Sequence, residues 1–416
     1  MNAFEYRDGL LHAEDVPLAA LAGQYGTPLL VYSAAHLQAQ YRALAEAFAA
    51  VQPLICFSIK SNSNGAVIKI FAALGAGADV VSGGELWRAQ RAGVAPARIV
   101  FAGVGKTEAE IEAALRADIL FFTVESEPEL ERISAVAQRL GATARIALRV
   151  NPDVDPQTHQ YISTGMKENK FGLDPARAAQ AYELAARLPN LDIVGLHMHI
   201  GSQILSADPF AAAVRKVAPL CVALRQRHAG FRFLDVGGGL GIAYQPDQQP
   251  LLPAAVARRL VPLLQPLGLQ VVLEPGRFLV GNAGALVTRV QYIKDNPFKK
   301  FIVVDAGMND LIRPSLYQAW HEIQAVRATP ATGLGDVVGP ICESGDFLAQ
   351  DRELPAVQAG DLLAVLGAGA YGFTMSSNYN SRPRVAEVMV RGAQHALIRR
   401  RETWDDLVRH EVDVLW

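Results

Sequence analysis

Leu54-Ile55-Cys56-Phe57-Ser58-Ile59-Lys60 is an apolar, strand-like run that ends on an amine, and seven further runs of the same kind follow it. They are Asp79–Ser82, Ile99–Gly103, Leu120–Glu125, Arg145–Asn151, Ile193–Ile200, Phe233–Gly239 and Val271–Arg277. Strand-like runs alternating with longer segments of helical period are the pattern of βα units around a parallel sheet. Eight of them predict an α/β fold, a closed (β/α)8 TIM-like barrel. Of the spacers, Glu108–Ala117, Glu127–Leu140, Pro175–Leu188 and Pro209–Arg225 read as amphipathic helices, and Ser126 with Glu129 matches a capping box.

Several of these runs end in reactive or anion-seeking residues: Lys60, Arg149, His199, Gly237 to Gly239, and Glu274 with Arg277. A barrel gathers catalytic groups at the C-terminal ends of its strands, because the βα loops there form the mouth. Beyond about residue 278 the helical spacers fade, and Ala285–Ile293, Phe301–Asp305, Leu362–Leu366 and Val385–Val390 predict a second, all-β domain. Leu29–Tyr32 is a strand ahead of the barrel. The expected organisation is a segment 1–33 packing with the β domain, a barrel over 34–277, and a β-rich C-terminal domain over 278–416 that completes the active site.

The length of 416 residues suits two domains, and half the residues are apolar while 19% are charged, which is globular composition. The net charge is −2, and the one dense basic run is Arg399-Arg400-Arg401, so nucleic acid is not an expected partner. Cys56, Cys221 and Cys342 lie far apart, without the spacing of a disulfide framework or a zinc site; a reducing cytoplasm fits. Met1–Asp15 carries Glu5, Arg7, Asp8, Glu14 and Asp15 and lacks the apolar core of a secretory signal. No stretch reaches the roughly 18 apolar residues of a membrane span, so a soluble protein without a membrane partner is expected.

Lys60 at a barrel mouth is a candidate Schiff-base former, its pKa lowered by partial desolvation; taken alone, a solvated strand-end lysine is the stronger reading, since lysines at strand ends are common. His197 and His199 share one face by the period of two, and no metal is expected there, since the local pattern offers no carboxylate or third histidine. Gly201-Ser202-Gln203 is a turn suited to a phosphate, and an imidazole beside it suits a flat ring; a hydrogen-bonded core pair is the bland alternative. Asp235-Val236-Gly237-Gly238-Gly239-Leu240-Gly241 lets backbone approach an anion, and Ile242 stands where a dinucleotide loop has its third glycine. Gly103-Val104-Gly105-Lys106-Thr107 imitates a nucleotide loop, but Val100 occupies the place of its first glycine, which excludes ATP binding. Glu274-Pro275-Gly276-Arg277 sets an acid and a base across a turn, either as an ion pair or as a carboxylate beside a pyridine nitrogen.

Together Phe57-Ser58-Ile59-Lys60-Ser61-Asn62, His197-Met198-His199-Ile200-Gly201-Ser202-Gln203, Gly237-Gly238-Gly239, Glu274-Pro275-Gly276-Arg277, Cys342-Glu343-Ser344-Gly345-Asp346 and Gly369-Ala370-Tyr371 resemble the barrel-type (fold type III) pyridoxal phosphate-dependent decarboxylases over almost the whole chain. Asn151-Pro152-Asp153-Val154, Tyr161-Ile162-Ser163-Thr164-Gly165, Asn169-Lys170-Phe171-Gly172 and the segment from Met308 to Tyr317 resemble the diaminopimelate decarboxylases within that group. Phe-Ser-Ile-Lys stands where relatives more often carry Tyr-Ala-Val-Lys. The resemblance implies pyridoxal 5'-phosphate as cofactor, with Lys60 as its covalent anchor and His199 stacked on its ring. It assigns Ser202, Gly237, Gly238, Gly239 and Tyr371 to the phosphate, and Glu274, flanked by Pro275, Gly276 and Arg277, to the ring nitrogen. Arg277, Arg313, Tyr317, Glu343 and Tyr371 would bind a small amino-acid substrate, and Cys342 would protonate the carbanion left by carbon dioxide. It further implies a homodimer with shared active sites, each borrowing its Cys342 loop from the other subunit. The implied reaction is meso-2,6-diaminopimelate to L-lysine and carbon dioxide, the last step of lysine biosynthesis. Rival readings are a related decarboxylase of ornithine, arginine or carboxynorspermidine, a non-catalytic regulator, and a cofactor-free Schiff-base aldolase.

Overall fold

The computed structural model describes residues 3–155, 171–412 and 414, so the Tyr161–Gly165 motif and Asn169-Lys170 lie outside the described residues. The chain forms two compact units. The first, Gln38–Ala243 with Gln249–Leu279, is a closed parallel barrel. Its strands are Leu54–Ser58, Gly77–Val80, Ile99–Phe101, Phe121–Val124, Ala144–Arg149, Leu191–His197, Phe233–Asp235 and Gln270–Leu273, each bonded to the next, and the last closes on the first through Val272 opposite Leu54. All eight runs therefore become barrel strands. Their polar ends run past the ladder: Lys60 sits in a 3-10 turn, Ile59–Ser61, and His199, Gly237 and Glu274 each follow the last paired residue of their strand.

The barrel interior is layered by the period of two. Cys56, Val100, Phe121, Ala147, Val194, Phe233 and Val272 form one buried apolar cluster. Two residues further along five of these strands stand Ser58, Thr123, Arg149, Asp235 and Glu274, all buried. The strand Leu191–His197 shifts register between Ile193 and Gly195, so there His197 takes the corresponding place. An apolar floor under a polar layer is what turns the mouth into a site.

The helices form where their caps dictate. Glu108–Ala117 and Glu127–Leu140 have the predicted bounds, and the chain leaves the second through Gly141 at φ +63°. The capping box predicted at Ser126 is only half formed. Ser126 Oγ accepts from Glu129 N at 3.4 Å, but the Glu129 carboxylate turns to Glu125 N and to the buried ammonium of Lys106, both at 2.7 Å. An unpaired buried cation is far more unfavourable than an unfinished cap, so Lys106 wins. A complete box closes instead between Thr107 and Glu110. Lys106, the lysine of the nucleotide-loop imitation, also donates to Gly103 O and Thr123 O, so its protons are taken up inside the fold.

The second unit comprises the chain up to Leu37, Tyr244–Gln248, and the chain from Val280 onward. Leu29–Ser33, buried at every position, lies between Gly284–Asp295, antiparallel, and Ala386–Arg391, parallel. The four predicted runs all appear as strands, and Ala331–Val338 with Phe347–Pro355 adds an antiparallel pair that Gly333 and Gly335 disguise in the sequence. Leu18, Leu21, Val31, Val287, Ala364 and Val388 lie in its apolar core. Short helices at Leu18–Tyr25, Arg313–Tyr317 and Trp404–Val408 make the unit β-rich rather than purely β. No helix among the described residues is long and apolar enough to cross a membrane.

Candidate active site

At the barrel mouth the Lys60 amine lies 2.9 Å from Asp79 Oδ2, and Ser58 Oγ donates to the same oxygen at 2.6 Å. The Lys60 side chain is 41% exposed while Asp79 is wholly buried, so this amine is partly desolvated and faces a buried carboxyl. Burial raises the Asp79 carboxyl, with Glu274 adding to it, against the opposing pull of Lys60 and Ser58.

Three strands bring His197, Asp235 and Glu274 together, with ligating atoms within 4.8 Å of one another. Carboxylates absent from the local pattern around His197 are thus supplied across the barrel. His197 Nε2 is 3.2 Å from Glu274 Oε2. Burial works to raise Glu274, but the charge and hydrogen bond of His197, with Lys60 and His199, outweigh it and hold the carboxyl at about 2. Asp235 goes the other way: burial pushes it well up, and the Glu274 charge adds to this.

His199 Nδ1 accepts from Gly238 N at 3.2 Å. Burial, with Arg149 and Lys60, lowers this imidazole well below its ordinary value, so the ring is neutral and flat. The glycine run is required by contact: a Cβ on Gly238 would stand 2.1 Å from Glu274 O, and Gly239 combines φ +105° with a Cβ position 2.4 Å from Gly201 O. Arg277 donates to Ser202 Oγ at 3.0 Å, bringing the two predicted residues together. Gly276 packs on Ser61 and Ser58 and Pro275 O accepts from Ser58 N, which ties the acid-base turn to the lysine strand. Arg149 meets Glu125 through Nη1, 3.1 Å from both carboxylate oxygens, a buried pair that rims the mouth.

The remaining predicted residues lie in the second unit. Arg313 is 5% exposed at the start of the helix Arg313–Tyr317, which carries Tyr317 one turn on, and Tyr371 has φ +57°. Cys342 and Glu343 are exposed on a loop pinned by Asp346, whose carboxylate accepts from Met308 N and Ile341 N, both at 2.6 Å. Cys342 N donates to Asn380 Oδ1, and Tyr379 Oη to Glu343.

A pyridine ring with a phosphate fits the barrel residues. Buried Asp79 Oδ1 and Glu274 Oε1 have no hydrogen-bond donor among the described residues, and a protonated ring nitrogen supplies one. Fold and mouth together define a barrel enzyme of the pyridoxal-dependent class. Residues 34–281 match the pyridoxal binding domain of the pyridoxal-dependent decarboxylases. The chain is 52% identical to the diaminopimelate decarboxylase of Aquifex aeolicus, covering 99% of this chain and 97% of that one, and 52% identical to that of Pseudomonas aeruginosa, covering 99% of each. A crystal structure of the Helicobacter pylori diaminopimelate decarboxylase, complexed with L-lysine, superposes with a TM-score of 0.91 at 43% identity, over 95% of this chain and 99% of that one. The chain belongs to the diaminopimelate decarboxylase family, and its cofactor is pyridoxal phosphate.

Sequence reasoning missed Asp79, Asp235 and the part of His197. The signal was present: an aspartate inside an otherwise apolar strand, as in Asp79-Val80-Val81 and Phe233-Leu234-Asp235, is out of place unless the barrel interior has a use for it.

Proposed function

We propose that this chain decarboxylates meso-2,6-diaminopimelate to L-lysine and carbon dioxide, the last step of lysine biosynthesis, in the cytoplasm. The observation that carries this reading is a lysine amine at the barrel mouth paired with buried Asp79, beside a Glu274 carboxyl held at about 2 and a His199 imidazole lowered well below its ordinary value, in a chain half identical along its length to proteins of that name. When bound, pyridoxal phosphate supplies the electron sink for the pair left on Cα as carbon dioxide departs. Lys60 anchors it. Glu274, as a fixed anion, would keep the ring-nitrogen proton in place. His199 would offer its flat face to the ring, while Ser202, the Gly237–Gly239 backbone and Tyr371 would hold the phosphate.

Substrate recognition needs a cation, a hydroxyl and an anion for the distal carboxylate and ammonium, which Arg313, Tyr317 and Glu343 provide, with Arg277 and Tyr371 as further substrate-binding residues. Ornithine has no distal carboxylate for Arg313. Cys342 delivers the proton to Cα. In this reading the β-rich domain completes the site across a homodimer: the exposed Cys342–Ser344 tip, held from behind by Asp346, enters the barrel mouth of a second copy. The test is release of lysine and carbon dioxide from meso-diaminopimelate, run beside ornithine and arginine. Turnover of the first and little of the others is expected; activity confined to ornithine or arginine overturns the assignment.

A further inference from the structure

His321 is wholly buried beside Arg313, whose Nη1 lies 2.6 Å from its Nε2. A guanidinium only donates, so Nε2 is the acceptor and the ring proton belongs on Nδ1. That nitrogen lies 2.8 Å from Leu366 O, a carbonyl that only accepts. The two neighbours thus select one neutral tautomer, and the ring is held from both ends. Tyr244 closes the arrangement: the Arg313 guanidinium carbon is 4.5 Å from the centre of its ring, and that ring meets His321 edge-on at 5.2 Å and 72°. Gly367, at φ +68°, makes room, since a Cβ there would stand 3.3 Å from the Tyr244 ring.

Neither His321 nor Tyr244 brings a negative charge. What they fix is the direction of the guanidinium, and direction is what fork-like recognition of a carboxylate depends on. We propose that His321, backed by Tyr244, is the positioning residue that aims Arg313 at the substrate's distal carboxylate and so sets the preference for substrates that carry one. This rests on the reading of Arg313 given above. His321 acts through Arg313 and does not itself touch the substrate.

The experiment uses the holoenzyme with L-lysine, which keeps the distal carboxylate, and cadaverine, the same diamine without it. Dissociation constants are read by calorimetry, beside KM and kcat on meso-diaminopimelate. His321→Leu is expected to weaken L-lysine and raise KM roughly tenfold or more, the fold-change of one lost hydrogen bond to a charged group. Cadaverine affinity and kcat should stay near wild type, and His321→Gln, whose carbonyl still accepts from Arg313, should recover most of the loss. Equal weakening of both ligands, or of neither, overturns the proposal. If His321→Leu does not fold, Tyr244→Leu against Tyr244→Phe makes the same comparison, the first alone expected to lose L-lysine selectively. Arg313→Ala separates the two levels. If it leaves L-lysine affinity unchanged, the reading of Arg313 falls and the proposal with it; if it weakens L-lysine while His321→Leu and Tyr244→Leu do not, only the proposal falls.

Discussion

Lys60 sits 2.9 Å from Asp79, and its amine must change partners when the cofactor attaches. Lys60→Ala is expected to abolish the visible absorbance of the anchored cofactor and to lower turnover by orders of magnitude, because anchoring and release both need that amine. A spectrum and rate like wild type would refute the assignment. Glu85, nearby in the chain, permits a test of burial itself. Its carboxylate accepts from Val81 N at 2.9 Å, and burial raises it to about 7. A carboxyl raised in the folded state gives stability that is complete below its unfolded value and lost as pH rises through the folded one, here between about 4.5 and 7. Glu85→Gln keeps the acceptor and cannot ionise. Its Tm should match wild type near pH 5 and exceed it near pH 8; a difference that does not grow with pH contradicts this placement of the group.

At the scale of elements, the caps and the glycine cradle do separate work. Thr107 and Glu110 close a full capping box at the start of Glu108–Ala117, whereas Ser126 caps Glu127–Leu140 with a single bond of 3.4 Å. Thr107→Ala is therefore expected to destabilise by about 1 kcal/mol and Ser126→Ala by roughly half that, measured by urea denaturation. The reverse order would mean that the Glu129–Lys106 contact, not the cap, fixes the second helix. Gly238→Ala tests the cradle. Its methyl group would meet Glu274 O at 2.1 Å, so the strand ends must part, at roughly 1–3 kcal/mol and with weakened cofactor retention. Full cofactor content at unchanged stability would show that the loop has slack.

For the whole molecule, the proposed homodimer makes a quantitative prediction. Lys60→Ala and Cys342→Ala proteins are each inactive by the mechanism above. Mixed under conditions that exchange subunits, they should form heterodimers with one doubly damaged and one intact site, restoring up to about a quarter of wild-type activity in an equal statistical mixture. If exchange is verified and the mixture stays inactive, Cys342 serves its own barrel.

The sequence alone determined the eight strands, their parallel order and the residues that end them, because each barrel strand is a local apolar run and each mouth residue follows it directly in the chain. Lys60, His199, Gly237–Gly239, Glu274 and Arg277 were legible for that reason. The helix Pro253–Leu264 was not, since Pro262 interrupts its pattern: it lacks the N–H that would bond back to Arg258. Only the tertiary structure decided what those residues face. His197 and Glu274 are 77 positions apart, and their contact depends on barrel closure and on the register shift between Ile193 and Gly195. Asp79 beside Lys60, Asp235 beside Glu274, and Lys106 drawing Glu129 away from its cap are all contests between neighbours brought in by closure. Periodicity records which face a side chain takes; the charge it bears there depends on burial and on which ions stand opposite, and those are set only when the sheet closes.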